Sequence, residues 1–407
     1  MTFTIRRLGH LGDGVADGPV FVPQALPGEV VAGEVCGGRI AAPRIVTPSR
    51  DRVRPVCPHY KGCGSCALQH ASNDFVARWK VEVVETALAA QGLAALMRPI
   101  LTSPPQSRRR ATLAGRRTRK GAIVGFHGRA SDTLVEIPEC QLLHPDIVAG
   151  LPMLRDLVPL GASRKGELAL AITRSDAGLD LSVTGAKPLD GALWAELGSF
   201  ARENDLARLN WNGELVVEIR PPMQRFGPAT VVPPPGAFLQ ATAEGEAALA
   251  DAVAEAVGGA NSVADLFAGC GTFALPLARN ADVHAVEGDA AMMRALDAGW
   301  RHAGGLKQVT TETRDLFRRP LMADELARFD AVVIDPPRAG AEAQMREIAG
   351  STVAVVATVS CNPVTFARDA AILRQAGFVL DWVQVVDQFR WSPHVELAAR
   401  FSRRSDH

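Results

Sequence analysis

The stretch DLFAGCGTF, residues 265–273, decides the fold that the sequence predicts. It has the pattern of an apolar strand, a glycine turn and the start of a helix. From about residue 236 to the end of the chain, apolar strands alternate with helical stretches, and the strand segments are SVADLF, DVHAVEG, FDAVVIDPP, TVAVVATVS, FVLDWVQVV and HVELAARF. This alternation predicts an α/β fold with a mostly parallel, doubly wound sheet that binds its ligand at the carboxyl ends of the strands.

Acidic residues follow three successive strands of the predicted sheet. Glu287 lies at the end of the strand in HAVEG, Asp315 follows the next strand, and Asp335 comes directly after the strand VVI. Such residues often only cap helices. Three carboxylates at one sheet edge would repel a pyrophosphate but suit a cationic nucleoside, whose ribose hydroxyls Glu287 is placed to bind. The pattern therefore favours S-adenosylmethionine (AdoMet) as the cofactor.

A cysteine and a glutamate near the end of the chain form a candidate catalytic pair. Cys361, in VATVSCNPVTFARDA, follows a strand and precedes a helix that Pro363 can start. A helix N-terminus lowers a thiol pKa, which predicts a nucleophile, although a buried structural cysteine is the alternative. Glu396, in SPHVELAARF, starts the last strand among apolar neighbours, where a raised pKa suits a general base. His394 is the second candidate for that base.

Three cysteines fall within the ten residues of CPHYKGCGSC: Cys57, Cys63 and Cys66. The chain opens without the apolar region of a secretory signal, so structural disulfides are not expected. A zinc site would need His59 or His70 as a further ligand. Cys140, in VEIPECQLLHP, is a further candidate ligand far along the chain, and an iron–sulphur cluster is the alternative to zinc. The spacing alone leaves both metals open.

The net charge of the 407-residue chain is zero, but the charges are segregated. The segment from Arg98 to Arg129 contains nine Lys and Arg residues and no Asp or Glu. Because these cations alternate with apolar residues, they are interpreted as the cationic face of folded strands that contact nucleic acid. The sequence contains no run of 18 apolar residues, so no membrane span is predicted, and we expect a cytoplasmic protein.

Several of these motifs together resemble one known family. DLFAGCGTF, HAVEG, VIDPPRAG, SCNPVTFARD and PHVE, with PPGAFLQ upstream, resemble the RNA uracil-C5 methyltransferases, which include iron–sulphur enzymes that methylate a uridine of 23S rRNA. The resemblance covers nearly the whole chain and implies an AdoMet-dependent class I methyltransferase acting on RNA, with 23S rRNA favoured. A monomer is the preferred oligomeric state. One departure is Phe389-Arg390-Trp391, where many relatives have Phe-Pro, and it leaves the choice of RNA site open.

The resemblance also implies roles for individual residues. Cys361 matches the nucleophile and Glu396 the base. The matched AdoMet contacts are Gln240, Phe267, Thr272, Glu287, Asp315 and Asp335. The matched ligands of a [4Fe–4S] cluster are Cys57, Cys63, Cys66 and Cys140.

The same resemblance divides the chain into three predicted domains. Residues 1–50 are expected to form a small TRAM-like, OB-like β-barrel that binds RNA. Residues 51–68 and 101–235 are expected to form an α+β central domain with the iron–sulphur cluster. Residues 69–100 and 236–407 are expected to form the Rossmann-like methyltransferase domain.

Other functions remain as alternatives at this point. A tRNA uridine-C5 methyltransferase would need the same catalytic pair. An enzyme for exocyclic amines commonly has an aromatic residue after its Asp-Pro-Pro turn, whereas this chain has Arg338 there. A DNA cytosine enzyme would need a Pro-Cys loop that the sequence lacks. An RNA-binding protein with a silent methyltransferase fold is the alternative outside enzymes.

Overall fold

The computed structural model describes residues 1–403 and begins with a small antiparallel sheet. Its strands pair in the order β3-β2-β1-β4-β5. They are β1 Thr2–Leu8, β2 Gly14–Ala16, β3 Val20–Val22, β4 Val30–Ala32 and β5 Arg44–Thr47. Buried side chains that include Ile5, Val22 and Val31 give this sheet a small core of its own. The predicted closure of these strands into a barrel stays a prediction.

Helix α1, Asn73–Ala89, is amphipathic. The Ser72 hydroxyl caps its first turn by accepting a hydrogen bond from the Phe75 N–H. Its buried face contains the apolar side chains of Trp79 and Val84, and also the cationic side chain of Lys80. Two short strands follow, β6 Leu96–Met97 and β7 Leu101–Thr102. No helix within residues 1–403 combines the length and apolarity needed to cross a bilayer.

A seven-stranded sheet forms the middle of the chain, with the strand order β10-β9-β8-β11-β12-β13-β14. The pairing is antiparallel except between β12 and β13. The strands are β8 Arg110–Thr118, β9 Gly121–His127, β10 Leu134–Glu136, β11 Glu167–Ser175, β12 Gly178–Thr184, β13 Arg208–Trp211 and β14 Glu214–Glu218. The helices are α2 Pro145–Ala149, α3 Leu151–Gly161 and α4 Gly191–Glu203. Cys57, Cys66 and Cys140 belong to the same hydrophobic core as this sheet.

A hairpin of β15, Gln224–Phe226, and β16, Ala229–Val231, leads into the alternating part of the chain. Its elements in chain order are α5 Ala243–Val257, β17 Ser262–Leu266, α6 Ala274–Leu277, β18 Asp282–Glu287, α7 Ala290–His302, β19 Val309–Thr313, α8 Ala323–Leu326, β20 Ala331–Ile334, α9 Glu342–Gly350, β21 Val355–Ser360, α10 Pro363–Gln375, β22 Phe378–Asp387 and β23 Glu396–Arg403.

These strands form one large sheet in the order β19-β18-β17-β20-β21-β23-β22-β6, with β7 also paired to β22. Strands β17 to β21 are parallel, and β23 runs antiparallel to both of its neighbours. The chain order reverses between β17 and β20, and such a switch point opens a crevice at the carboxyl ends of the strands. The predicted doubly wound α/β sheet is therefore confirmed. Helix α1 packs against α10 of this sheet, while the predicted domain boundaries stay a prediction.

The segment of nine cations is not one exposed face, which corrects the interpretation of the charge pattern. Buried Arg109 forms an ion pair with Glu246, and other cations of the segment pair with Glu255, Glu167 and Asp13. Residues 117, 119 and 120, at the β8–β9 turn, are exposed. Four of the nine cations therefore join parts of the fold, and the acids that pair with them come from distant positions in the sequence.

Candidate active site

A pocket of about 580 Å³ lies at the carboxyl ends of the parallel strands. Seven of the eight predicted catalytic and cofactor residues line it: Gln240, Phe267, Glu287, Asp315, Asp335, Cys361 and Glu396. The eighth, Thr272, lines a separate cavity that also contains the Arg109–Glu246 ion pair. The structure thus brings the predicted catalytic pair and most of the predicted cofactor contacts into one space.

The turn after β17 requires glycine at two positions, for a different physical reason at each. Both have a positive φ, +56° at Gly269 and +94° at Gly271. A Cβ on Gly269 would meet no atom within 4 Å, and this residue lines the pocket, so its lack of a side chain leaves room for a ligand. A Cβ on Gly271 would lie 2.9 Å from side-chain atoms of Leu275 and Leu296. Only the first glycine therefore serves the pocket directly.

Backbone N–H groups hold two of the strand-end carboxylates in place. Glu287 accepts hydrogen bonds from the N–H groups of Gly269 and Asp289, each at 3.1 Å. Asp315 accepts from the N–H groups of Phe317 and Arg318, at 3.0 and 3.3 Å. Both side chains are fixed before any ligand binds, as expected for groups that orient a cofactor.

Two further carboxyl groups lie deeper at the same edge. Burial raises the pKa of Asp335 to about 7. Asp265, in β17, is fully buried, and neither of its carboxyl oxygens has a hydrogen-bond partner among the described residues. Burial, followed by the charge of Asp335, raises its pKa well above the ordinary range. Asp265 was not predicted as a site residue, although it is the first residue of the motif DLFAGCGTF.

Strand pairing brings Cys361 and Glu396 together. Strands β21 and β23 are antiparallel, and Ser360 pairs with Leu397 as the last residue pair of the ladder. Cys361 and Glu396 are the next two residues outward, so their backbones face each other across the strands. Glu396 is 3% exposed and Cys361 is half-buried, and both line the pocket. The predicted pair therefore shares one space.

The prediction that the pKa of Cys361 is lowered is wrong for this pocket. Burial, then the carboxylates of Glu396 and Asp335, raise the thiol pKa to about 11, and the nearby Arg338 only partly opposes them. The pKa of Glu396 is raised well above its ordinary range, mainly by burial and then by Asp335, in the direction expected for this base. Burial first, and then these neighbouring acidic groups, thus disfavour the thiolate form of Cys361 in the pocket.

A cation at the mouth of the pocket was not singled out as a site residue from the sequence. Arg338 follows the Asp-Pro-Pro turn, and its Nη2 lies 3.1 Å from Nδ1 of His394. Its carbonyl accepts hydrogen bonds from the Asn362 amide, at 2.9 Å, and from the Thr365 hydroxyl, at 3.2 Å. Because Asn362 and Thr365 belong to the first turn of α10, these contacts fix the Arg338 loop beside Cys361.

The four predicted cluster cysteines line a second, small cavity together with Tyr60 and Gln69: Cys57, Cys63, Cys66 and Cys140. All are free thiols. Burial, the largest cause, raises the pKa of Cys66 to about 12. A hydrogen bond with Gln69 opposes this shift, and the neighbouring thiols add to it. No group of three or more His, Cys, Asp or Glu side chains within residues 1–403 is already arranged to hold a metal ion.

The sequence of this chain is similar to those of RNA methyltransferases. Residues 301–404 match the family described as tRNA (Uracil-5-)-methyltransferase. An uncharacterized RNA methyltransferase of Brucella suis is 46% identical, over 97% of this chain and 96% of that protein. The 23S rRNA (uracil(1939)-C(5))-methyltransferase RlmD of Chromohalobacter salexigens is 34% identical, over 97% of this chain and 87% of that protein.

A solved structure shares the fold. The crystal structure of Pyrococcus abyssi tRNA (uracil-54, C5)-methyltransferase in complex with S-adenosyl-L-homocysteine gives a TM-score of 0.79 at 21% identity, covering 98% of this chain and 99% of that one. This likeness identifies the class I methyltransferase fold. Together with the relatives above, it shows that the chain belongs to the RNA uracil-C5 methyltransferase family.

Proposed function

We propose that this enzyme transfers the methyl group of AdoMet to carbon 5 of a uridine in RNA, with Cys361 as nucleophile and Glu396 as base. The observation that carries the proposal is that these two side chains, at the facing ends of β21 and β23, line one pocket. Carbon 5 of uracil is a weak nucleophile, so methylation needs a thiolate to activate the ring and a base to finish the reaction.

In the proposed reaction, the Cys361 thiolate bonds to carbon 6, and the electrons of the ring double bond move to form an enolate. Carbon 5 then takes the methyl group, whose bond to the sulfonium sulfur breaks to leave neutral S-adenosylhomocysteine. Glu396 removes the proton from carbon 5, the ring double bond forms again, and the thiolate leaves. Because a stacked base hides these ring atoms, the uridine has to be unpaired or flipped into the pocket.

The charges of the pocket support AdoMet as the cofactor. AdoMet, when bound, supplies an electrophilic methyl group on a positively charged sulfur. Glu287 is proposed to bind the ribose hydroxyls, and the other proposed contacts are the pocket residues Gln240, Phe267, Asp315 and Asp335. Thr272 lines the separate cavity and is not included among them. A cation beside Cys361 would offset the carboxylates that raise the thiol pKa. Cofactor binding would thus also activate the nucleophile.

The cysteine cavity supports a [4Fe–4S] cluster held by Cys57, Cys63, Cys66 and Cys140. The donor set fits because four free thiols, three of them buried, surround one space, and clusters of this type bind four thiolates. Zinc remains the alternative metal. The backbone N–H groups of Ala67 and Leu68, next to Cys66, both donate to the Trp391 carbonyl, at 2.8 and 2.9 Å. We propose a structural role for the cluster, because methyl transfer itself requires no redox step.

We propose 23S rRNA as the substrate, because a relative named for that activity aligns over nearly the whole chain. The first sheet and the exposed cations at positions 117, 119 and 120 are proposed to contact the RNA backbone. The three domains keep the bounds stated above, and we propose a monomeric enzyme of the cytoplasm. A tRNA uridine is the alternative substrate, since the matched family description names tRNA.

RNA that contains 5-fluorouridine tests the proposed chemistry. A fluorine on carbon 5 cannot be removed as a proton, so the enzyme with AdoMet should form a covalent adduct that survives a denaturing gel. Cys361→Ser should form none. If the parent protein binds AdoMet and RNA but forms no adduct, the proposal is wrong and a silent RNA-binding protein is favoured. Mass spectrometry of ribosomal RNA and tRNA from a deletion strain would then show which RNA lacks a methyl group.

A further inference from the structure

Gln388 is a buried amide that the proposed chemistry does not yet use. It comes directly after β22 and is 1% exposed. Its Nε2 donates to Oε1 of Gln240 at 2.6 Å and to Oε2 of Glu396 at 3.0 Å. Its Oε1 accepts from the backbone N–H of Ala241 at 2.7 Å. One side chain therefore contacts a proposed cofactor residue and the proposed base.

The orientation of this amide follows from its partners. A backbone N–H can only donate, so the atom beside Ala241 has to be the Gln388 oxygen. The Gln388 nitrogen then faces both Gln240 and Glu396, and its two hydrogens serve these two acceptors. Gln240 Oε1 is consequently used as an acceptor, and the nitrogen of that amide is left for the pocket. A single hydrogen-bonding unit thus sets the orientation of both side chains.

Helix α5 packs closely against Gln388. A Cβ on Gly245, in α5, would lie 2.6 Å from the Gln388 Cβ and 3.2 Å from its Oε1. The glycine in α5 therefore makes room for this glutamine. Val386 of β22 pairs with Glu396 at the start of β23, which brings Glu396 close to Gln388, two residues after Val386. Helix α5 and two strands together enclose the amide.

We propose that Gln388 is a positioning residue that holds the Glu396 carboxylate ready to remove the carbon 5 proton and fixes the Gln240 amide toward the cofactor. This inference rests on the proposed function. A hydrogen bond from a neutral donor favours the ionised carboxylate, which a base requires. The charged and titratable groups that face Glu396 are Asp335, Cys361 and Arg338, with His394 two residues away. Of the groups that favour the carboxylate, Gln388 is the one that makes a direct hydrogen bond to it.

Gln388→Met tests the role, because methionine keeps the length of the side chain and removes its hydrogen bonds. We expect kcat for methylation of ordinary uridine RNA to fall roughly tenfold to hundredfold, as when a hydrogen bond to a charged group is lost. The acidic limb of the pH–kcat profile should move up by about one unit or more, because the carboxylate loses a donor. The covalent intermediate on ordinary uridine should persist longer, and KM for AdoMet should rise through Gln240.

Gln384→Met is the matched control. Gln384 is a buried glutamine of the same strand, β22, and its amide donates to the Pro99 carbonyl at 2.6 Å, away from the pocket. This variant should keep the parent kcat and pH profile. Gln388→Glu, which has the parent shape, covers the case in which the methionine variant folds poorly. Its second carboxyl group next to Glu396 should also move the acidic limb upward.

The outcomes separate the two proposals. Formation of the 5-fluorouridine adduct does not need proton removal, so Gln388→Met should still form it while turnover of ordinary uridine falls. If both Gln388 variants match the parent in kcat and pH profile, the positioning role is wrong and the proposed function stands. If the parent forms no adduct at all, the proposed function is wrong and the positioning role falls with it.

Discussion

The reactivity of Cys361 should depend on the charge of the ligand in the pocket. With a thiol pKa of about 11, roughly one molecule in a thousand carries the thiolate at about pH 8. An ordinary thiol with a pKa near 8.5 is ionised in about one molecule of four at that pH. We therefore expect Cys361 of the ligand-free protein to react with iodoacetamide about two hundred times more slowly than an ordinary cysteine. Because the pKa is raised, the rate should climb about tenfold per pH unit until it levels near pH 11.

The positive charge of bound AdoMet should lower the pKa of Cys361 and so speed its alkylation. An opposite charge close to an ionisable group typically moves its pKa by about one to three units, so the sulfonium should raise the thiolate fraction roughly tenfold to thousandfold. S-adenosylhomocysteine has nearly the same shape and lacks the positive charge. It therefore serves as the matched ligand that separates charge from steric protection. We expect the alkylation rate of Cys361 to be high with AdoMet bound and low with S-adenosylhomocysteine bound.

Peptide mass spectrometry measures the alkylation of each cysteine separately across the pH range. Cys36 is exposed and serves as an internal reference in the same molecules. If Cys361 in the ligand-free protein reacts as fast as Cys36, the reasoning about burial and carboxylates is wrong. If AdoMet and S-adenosylhomocysteine have the same effect on the rate, the sulfonium charge does not activate the thiol.

Three further predictions concern stability, proton removal and the metal. Lys80→Met should lower the free energy of unfolding by about 3–5 kcal/mol, because it leaves the buried carboxylate of Asp387 without the ammonium group 2.5 Å away. A thermal melt that matches the parent would contradict this prediction. The double variant Lys80→Met with Asp387→Leu should recover part of the lost stability. Glu396→Gln should slow turnover by about a hundredfold or more and accumulate the covalent adduct on ordinary uridine RNA, seen on denaturing gels; full turnover would exclude this base. Cys140→Ser should remove the iron and the visible absorbance of the purified protein, while the control Cys36→Ser keeps both; iron retained in Cys140→Ser would exclude this ligand.

Local sequence patterns were sufficient for the elements and for the strand-end residues. The apolar runs and the turn with Gly269 predicted the parallel strands, because strand and helix periodicity are properties of neighbouring residues. Residues at the carboxyl ends of parallel strands share one edge whatever the rest of the chain does. Glu287, Asp315 and Asp335 could therefore be assigned to one pocket from the sequence alone.

Contacts between distant residues were not predictable in this way. The acids that pair with the arginine segment and the burial of Lys80 beside Asp387 join parts of the chain far apart in sequence. The three hydrogen bonds of Gln388 likewise link separate elements. No periodic pattern marks such partners, because each is chosen by how elements pack rather than by neighbours in the chain.

The sequence by itself predicted the order of strands and helices, the glycine turn at one edge of the sheet, and Cys361 and Glu396 as the candidate nucleophile and base. The tertiary structure decided that Cys361 faces Glu396, through the register of β21 and β23, and that the thiol pKa is raised rather than lowered. A helix N-terminus acts on a thiol locally. Burial and the charges of carboxylates from other strands act through space, and they outweigh it here.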